Sequence, residues 1–234
     1  MRRADRAPAG GVRRLAALLA SALGVAGLLT VPAAGGPAEF SADGGNWSGY
    51  VATGKKVHSV SARWTEPAVT CTSPADMFAP WVGIDGYDSG DTVEQTGVAT
   101  DCSSGRPVYR AWYETAPDPP VYYSVPVQAG DVIEAEVTRR GTSYTMTLAD
   151  LTRNWRKTAV KSSPGVNGSA EVAVEAQKGR FPRFGEVGFS DATVDGSPLA
   201  SVHPTAIDST DAKGFLTATG PLSGGRFTVS LLRR

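Results

Sequence analysis

The sequence predicts an all-β domain of two packed antiparallel sheets, and three observations lead there. Glycine and proline, 27 and 16 of the 234 residues, are spread evenly and cut the chain into short runs. Those runs are rich in β-branched and aromatic residues, and several alternate apolar with polar. No stretch after residue 35 shows a helical period with caps. Strands so short and so numerous bury a core by stacking two sheets.

The chain begins with Arg2, Arg3, Arg6, Arg13 and Arg14, followed by an apolar run from Leu15 to Leu29 and then Val31-Pro32-Ala33-Ala34. This is the three-part build of an export signal, and the apolar run is short for a membrane span. Residues 1–34 are expected to be removed, which predicts a secreted, extracellular protein with no membrane attachment afterwards. Residues 35–45 are rich in glycine and small residues and are expected to form a flexible leader or a short pro-segment. Residues 46–234 then form a single domain, large enough to bury a full core.

Strands are expected over Asn46–Ala52, Val57–Thr65, Ala79–Ile84, Thr92–Ala99, Val108–Thr115 and Val121–Val125. Further on they are expected over Val132–Thr138, Ser143–Leu148, Trp155–Val160, Ala170–Ala176, Phe184–Phe189, Phe215–Thr219 and Arg226–Leu232. The cleanest alternation is Ile133, Ala135 and Val137 against Glu134, Glu136 and Thr138, answered by Tyr144, Met146 and Leu148 against Thr145 and Thr147. Ser162–Gly168 is expected to be a loop, and Gly220–Leu232 a hairpin that closes one sheet.

Charge excludes several partners. The whole chain has 23 basic and 23 acidic residues. The first 34 hold five arginines and Asp5, so the remainder has 18 basic and 22 acidic residues, a net charge of −4. A mildly acidic chain offers no basic field for nucleic acid. A monomer is expected. Two cysteines remain, Cys71 and Cys102, and in an exported protein they are expected to pair.

Familiar hydrolytic motifs are absent. The only histidines are His58 and His203, and no Gly-x-Ser-x-Gly elbow is present, so the sequence does not support a serine triad. Two distant histidines and no His-Glu-x-x-His make no zinc cluster. Asp88-Ser89-Gly90 looks like half of an aspartic-peptidase signature, but a matching second copy is missing, and a glycine-rich turn explains it.

The pattern with chemical content is Ala170-Glu171-Val172-Ala173-Val174-Glu175. In a strand, Glu171, Ala173 and Glu175 share one face, a way to hold a carboxylate at the floor of a cleft. The two acids are about 13 Å apart along the strand, too far for the usual glycosidase pair. Upstream lies Glu94-Gln95-Thr96-Gly97-Val98, where only one of Glu94 and Gln95 can face a cleft. Gly97, on the same face as Gln95, is expected to leave room for whatever approaches that face, which the family resemblance below makes a peptide. Trp47, Trp81 and Trp112 adjoin polar or glycine-rich residues and suit a cleft wall.

Taken together, Asn46-Trp-Ser-Gly-Tyr50, Trp81-Val-Gly-Ile-Asp-Gly86, Glu94-Gln-Thr-Gly-Val98, Ala111-Trp-Tyr-Glu114 and Ala170-Glu-Val-Ala-Val-Glu175 resemble the glutamic peptidases, or eqolisins, in order and spacing. The resemblance implies a lectin-like (concanavalin A type) sandwich of two strongly curved antiparallel sheets, with the active site on the concave face. It implies an endopeptidase active at acid pH on polypeptide substrates, without metal or cofactor. By motif, the catalytic pair falls on Gln95 and Glu175, and Trp47, Trp81, Asp85, Trp112 and Glu114 occupy cleft-lining, substrate-binding positions. The chain departs from the family pattern after Glu175, where Ala176-Gln-Lys-Gly-Arg180 carries no bridged loop, and at Arg110 and Ala116. Fewer acids in the cleft would move the pH optimum upward. The rival reading is a non-catalytic carbohydrate-binding or glycoside-acting sandwich.

Overall fold

The computed structural model describes residues 41–54, 56–87 and 91–234. The expected export signal, the leader through residue 40 and the Asp88-Ser89-Gly90 turn lie outside the described residues. In chain order the first strands are β1 (Ala42–Asp43), β2 (Trp47–Thr53), β3 (Ser59–Thr65), β4 (Met77–Ile84), β5 (Val93–Asp101) and β6 (Val108–Ala116). Next come β7 (Val121–Tyr122), β8 (Val132–Arg140), β9 (Ser143–Asp150), β10 (Trp155–Ser162), β11 (Ser169–Glu175) and β12 (Glu186–Val194). The last are β13 (Ser197–Pro198), β14 (Thr205–Asp208), β15 (Thr210–Asp211), β16 (Gly214–Phe215), β17 (Thr217–Thr219) and β18 (Phe227–Leu231), with a 3-10 turn at Leu199–Val202.

Two sheets form the sandwich. The first runs β1-β14-β2-β11-β4-β5-β6-β7, and the second β10-β9-β8-β3-β12-β18-β17 with β13 added to β12. The strands pair antiparallel except at the edge, where β1 runs parallel to β14. The alternation of β8 and β9 is realised as packing. Ile133, Ala135, Val137, Tyr144, Met146 and Leu148 are fully buried between the sheets, and the removal of their apolar area from water drives the stacking. On the outward face, Arg63 donates to Glu134 from Nε at 2.8 Å, while Asp191 and Arg156 extend the ion pairing.

The middle of the first sheet behaves differently. β4 is buried at every position, and β11 at all but Glu175. One face of these strands packs on the second sheet. The other is covered by a separate cluster of Met77, Ala79, Trp81, Ala99, Trp112 and Ala173, with Trp47 and Val93 against it. A strand covered on both faces loses its alternation, which is why Met77–Ile84 has no period of two. The sheet therefore has a floor on its outer side.

The structure corrects four local expectations. Residues 41–45 are part of the fold: β1 pairs with β14, Gly44 N donates to Asp208 O at 2.8 Å, and Thr210 Oγ1 donates to Asp43 Oδ1 at 2.7 Å. β14 was not foreseen, because four residues after His203-Pro204 carry no alternation and are ordered only by β2 and β1 on either side. The strand expected over Val121–Val125 shortens to two residues, and that over Phe215–Thr219 splits into β16 and β17.

Cys71 and Cys102 are bonded, with their Cα atoms 5.5 Å apart. The bridge ties the loop before β4 to the end of β5, across a sequence separation of 31. A loop of that size contributes about 3–4 kcal/mol by restricting the unfolded chain. The double substitution C71S/C102S is expected to lower the unfolding free energy by roughly 3 kcal/mol, measured by denaturant titration against the oxidised protein.

Candidate active site

The outer face of the first sheet carries the expected residues on one register. In β5, Val93 and Ala99 belong to the outer cluster, while Val98 belongs to the inter-sheet core. Gln95 therefore faces out, and Glu94 faces in, where its charge adds to the rise that burial gives the Tyr144 hydroxyl on β9. In β11, Ala173 belongs to the outer cluster and Ala170, Val172 and Val174 to the core, so Glu171 and Glu175 face out.

Pairing fixes how these side chains relate. Glu175 is opposite Trp47 on β2 and Ala79 on β4, whereas Gln95 is opposite Gly83 on β4 and Glu114 on β6. Ala79 and Gly83 are four residues apart, an even number, so the side chains of Glu175 and Gln95 rise from the same face, their registers offset by about 13 Å along the strand. Glu175, Gln95, Trp47, Glu114, Val93 and Tyr122 all line one cleft of about 590 Å³. Neither His58 nor His203 lines it.

Each polar group has a defined environment. Gln95 is buried and donates from Nε2 to Glu114 Oε2 at 2.9 Å, while its Oε1 has no hydrogen-bond partner among the described residues. Glu175 is half-buried, and its Oε1 accepts from Asn46 Nδ2 at 2.8 Å. Burial pushes the Glu175 carboxyl up to about 7; hydrogen bonds from Trp47 and Asn46 oppose the rise, and the Glu114 charge adds to it. Burial also raises Glu114, against the hydrogen bond from Gln95. Replacing Glu114 by Gln removes a like charge and keeps an acceptor for Gln95. The acid limb of any activity that needs ionised Glu175 is expected to move to lower pH in E114Q, read from kcat/KM against pH.

Some expected cleft residues are placed elsewhere. Trp81 and Trp112 are on the correct face but fully buried, forming the floor beneath the cleft. Trp47 meets Trp81 edge-on at 4.8 Å and is the half-buried one. Asp85 leaves the set of cleft residues. It is fully buried, and its two oxygens accept from Asn167 N at 2.8 Å and Gly168 N at 2.7 Å. A carboxylate committed to capping the 165–168 loop is not available to a substrate.

Glycines serve packing here. A Cβ on Gly97 would collide with the Pro80 carbonyl, so Gly97 permits the close approach of β4 and β5 where Pro80 interrupts their ladder. That replaces the expectation that Gly97 makes room for a peptide. A Cβ on Gly83 would come within 2.6 Å of the Trp81 ring, so Gly83 seats the indole.

Glu171 is fully buried, and its carboxyl pKa is raised well above normal, first by burial and then by Asp85 and Glu94. Of the two acids on β11, only Glu175 reaches the cleft. Sequence reasoning gave no role to Met77, Asp101, Pro120, Tyr122, Gln177 or Lys178, which also line it. They come from strand ends and connections, where no periodicity marks a face.

Two antiparallel sheets with Gln95 and Glu175 lining one cleft on the outer face are what the glutamic-peptidase resemblance leads one to expect. The Peptidase A4 family model matches residues 45–230, and the chain belongs to this family. It is 29% identical to Aspergillopepsin-2 of Aspergillus niger over 218 residues, 79% of this chain and 77% of that protein. It is 32% identical to Scytalidopepsin B of Scytalidium lignicola over 173 residues, 71% of this chain and 62% of that protein. Among solved structures, scytalido-glutamic peptidase with a transition state analog inhibitor superposes with a TM-score of 0.70 at 25% identity, over 81% of this chain and 99% of that one. Aspergilloglutamic peptidase from Aspergillus niger gives 0.57 at 30% identity, over 67% and 99%. The protein is thus a peptide-bond hydrolase of the glutamic peptidase class.

Proposed function

We propose that this chain is a secreted, monomeric endopeptidase in which Glu175 and Gln95 act on one water molecule. Ionised Glu175 takes a proton from the water as its oxygen attacks the substrate carbonyl carbon. The resulting oxyanion accepts a hydrogen bond from the Gln95 amide NH2, which donates without titrating. Glu175 then passes its proton to the amide nitrogen as the carbon–nitrogen bond breaks. No metal or cofactor enters these steps. The observation that carries the reading is the sharing of one cleft by Glu175 and Gln95, delivered from two non-adjacent strands onto one face.

The raised pKa of Glu175 modifies the pH expectation. With a carboxyl near 7, the ionised fraction falls about tenfold for each pH unit below that value. Catalysis at strongly acid pH then draws on a small fraction of ionised base. The sugar-directed alternative loses support. Trp81 and Trp112 present no open ring face for a sugar, and Glu171 is sealed away from any pairing with Glu175.

The test is digestion of a denatured, unlabelled protein between pH 3 and pH 8, with and without chelator and with serine- and cysteine-directed reagents. Cleavage at internal bonds, unchanged by these additions, is expected. Absence of cleavage across the range, with saturable glycan binding instead, overturns the proposal.

A further inference from the structure

Asn46 has no part in the steps above, yet it touches their central group. Its Nδ2 donates to Glu175 Oε1 at 2.8 Å and lies 3.5 Å from the carbonyl of Ala176. Two acceptors on the same side fix which end of the amide faces Glu175, because the flipped amide would set its oxygen against both. The side chain is exposed, but its backbone is held on several sides. Ala176 N donates to the Asn46 carbonyl at 2.9 Å, Trp47 N to Gly44 O at 2.9 Å, and Thr210 N to Gly45 O at 3.0 Å. The segment before β2 is thus stitched to the residue after Glu175 and to the start of β15.

We propose that Asn46 is a positioning residue of the catalytic centre: its amide occupies Oε1 of Glu175 and helps to fix the plane of the carboxylate that exchanges a proton with water. The proposal rests on Glu175 being the base. An amide NH2 suits this place because it donates at every pH and accepts no proton from the acid it orients. A carboxyl there would compete for that proton. The arrangement also makes the stitched segment from Ser41 to Gly45 a support of the active site.

The test compares N46A and N46D with the unmodified enzyme and with E175Q, by steady-state kinetics from pH 3 to pH 8 and by thermal unfolding. In N46A, kcat is expected to fall at least about tenfold with KM within about twofold, as for loss of an interaction made in the transition state. The acid limb is expected to move to higher pH, because the Asn46 hydrogen bond is one of the influences that hold the Glu175 carboxyl down. N46D, which has the shape of Asn, is expected to move the limb further the same way, and it keeps the readout accessible if the Ala variant loosens the turn. An unchanged kcat and an unmoved limb in both variants, with E175Q inactive, would falsify the role of Asn46 alone. Full turnover by E175Q would remove Glu175 as the base and the proposal with it.

Discussion

Glu175→Gln is expected to reduce kcat by about 10²–10⁴-fold, the usual contribution of a positioned general base, with the fold retained. Gln is isosteric and still accepts from Asn46 Nδ2, so the local hydrogen bond survives. It cannot take a proton from water. Gln95→Ala is expected to cost about 10²–10³-fold in kcat, the range for removing one oxyanion donor. Its effect on binding should be smaller, because the tetrahedral oxyanion exists only after attack. Glu171→Gln is the internal control. Glu171 shares the strand and the face, but it is fully buried away from the cleft, with its carboxyl raised well above the ordinary range by burial, so E171Q should keep near-normal turnover. Equal losses in E171Q and E175Q would mean that fold damage, and not chemistry, is being measured. Unfolding curves beside the kinetics make that distinction.

The second large effect is a loss of stability as pH rises. Glu66 is fully buried, accepting from Trp64 Nε1 at 2.9 Å, and burial pushes its carboxyl up to about 8. Burial likewise raises Glu94, to about 7, and Glu171 by a large margin. In the unfolded chain these acids ionise near the ordinary glutamate value, so between about pH 4.5 and pH 8 the folded state binds more protons than the unfolded one. The contribution of these acids to stability therefore falls with rising pH across that window, while Asp76, Asp101, Glu134 and Asp211, whose carboxyls are lowered in the fold, withdraw support only at more acid pH. Glu66 alone accounts for a loss on the order of 4 kcal/mol. Thermal unfolding at steps from pH 4 to pH 8.5 should show the decline, and E66Q should flatten part of it, since Gln stays neutral and still accepts from Trp64. A melting temperature that climbs through neutral pH in the unmodified protein would contradict the buried, protonated state of these acids.

The two effects meet in the working range. The ionised fraction of Glu175 grows toward pH 7, while the fold loses support from its protonated buried acids over the same interval. Their product is expected to place best performance in weakly acid solution, which kcat/KM measured from pH 3 to pH 8 checks. E114Q and E66Q separate the contributions, because the first acts on the acid limb and the second on stability.

Much of the architecture could be read before any coordinates. Alternation in Val132–Arg140 and Ser143–Asp150 exposes a period of two because one face is dry and the other wet. The same reasoning separated Gln95 from Glu94, since adjacent residues in a strand cannot share a face. It could not separate Glu171 from Glu175, which do share one. Their difference in burial arises from what lies over each position. Nor could it see that Asp85 turns into the 165–168 loop, because the partner residues are 82 and 83 positions away in the chain.

By itself, the sequence determined the strand periodicity, the two cysteines available to pair, and the family to which the ordered motifs belong, because these depend on residue type and local spacing. The motif pointed to Glu175, but only the tertiary structure decided that Glu171 is sealed off, which tryptophans become the cleft floor, and that Asn46 grips Glu175. Those outcomes depend on burial and on contacts between strands remote in the chain, where desolvation sets the protonation of each carboxyl and register sets what it can touch.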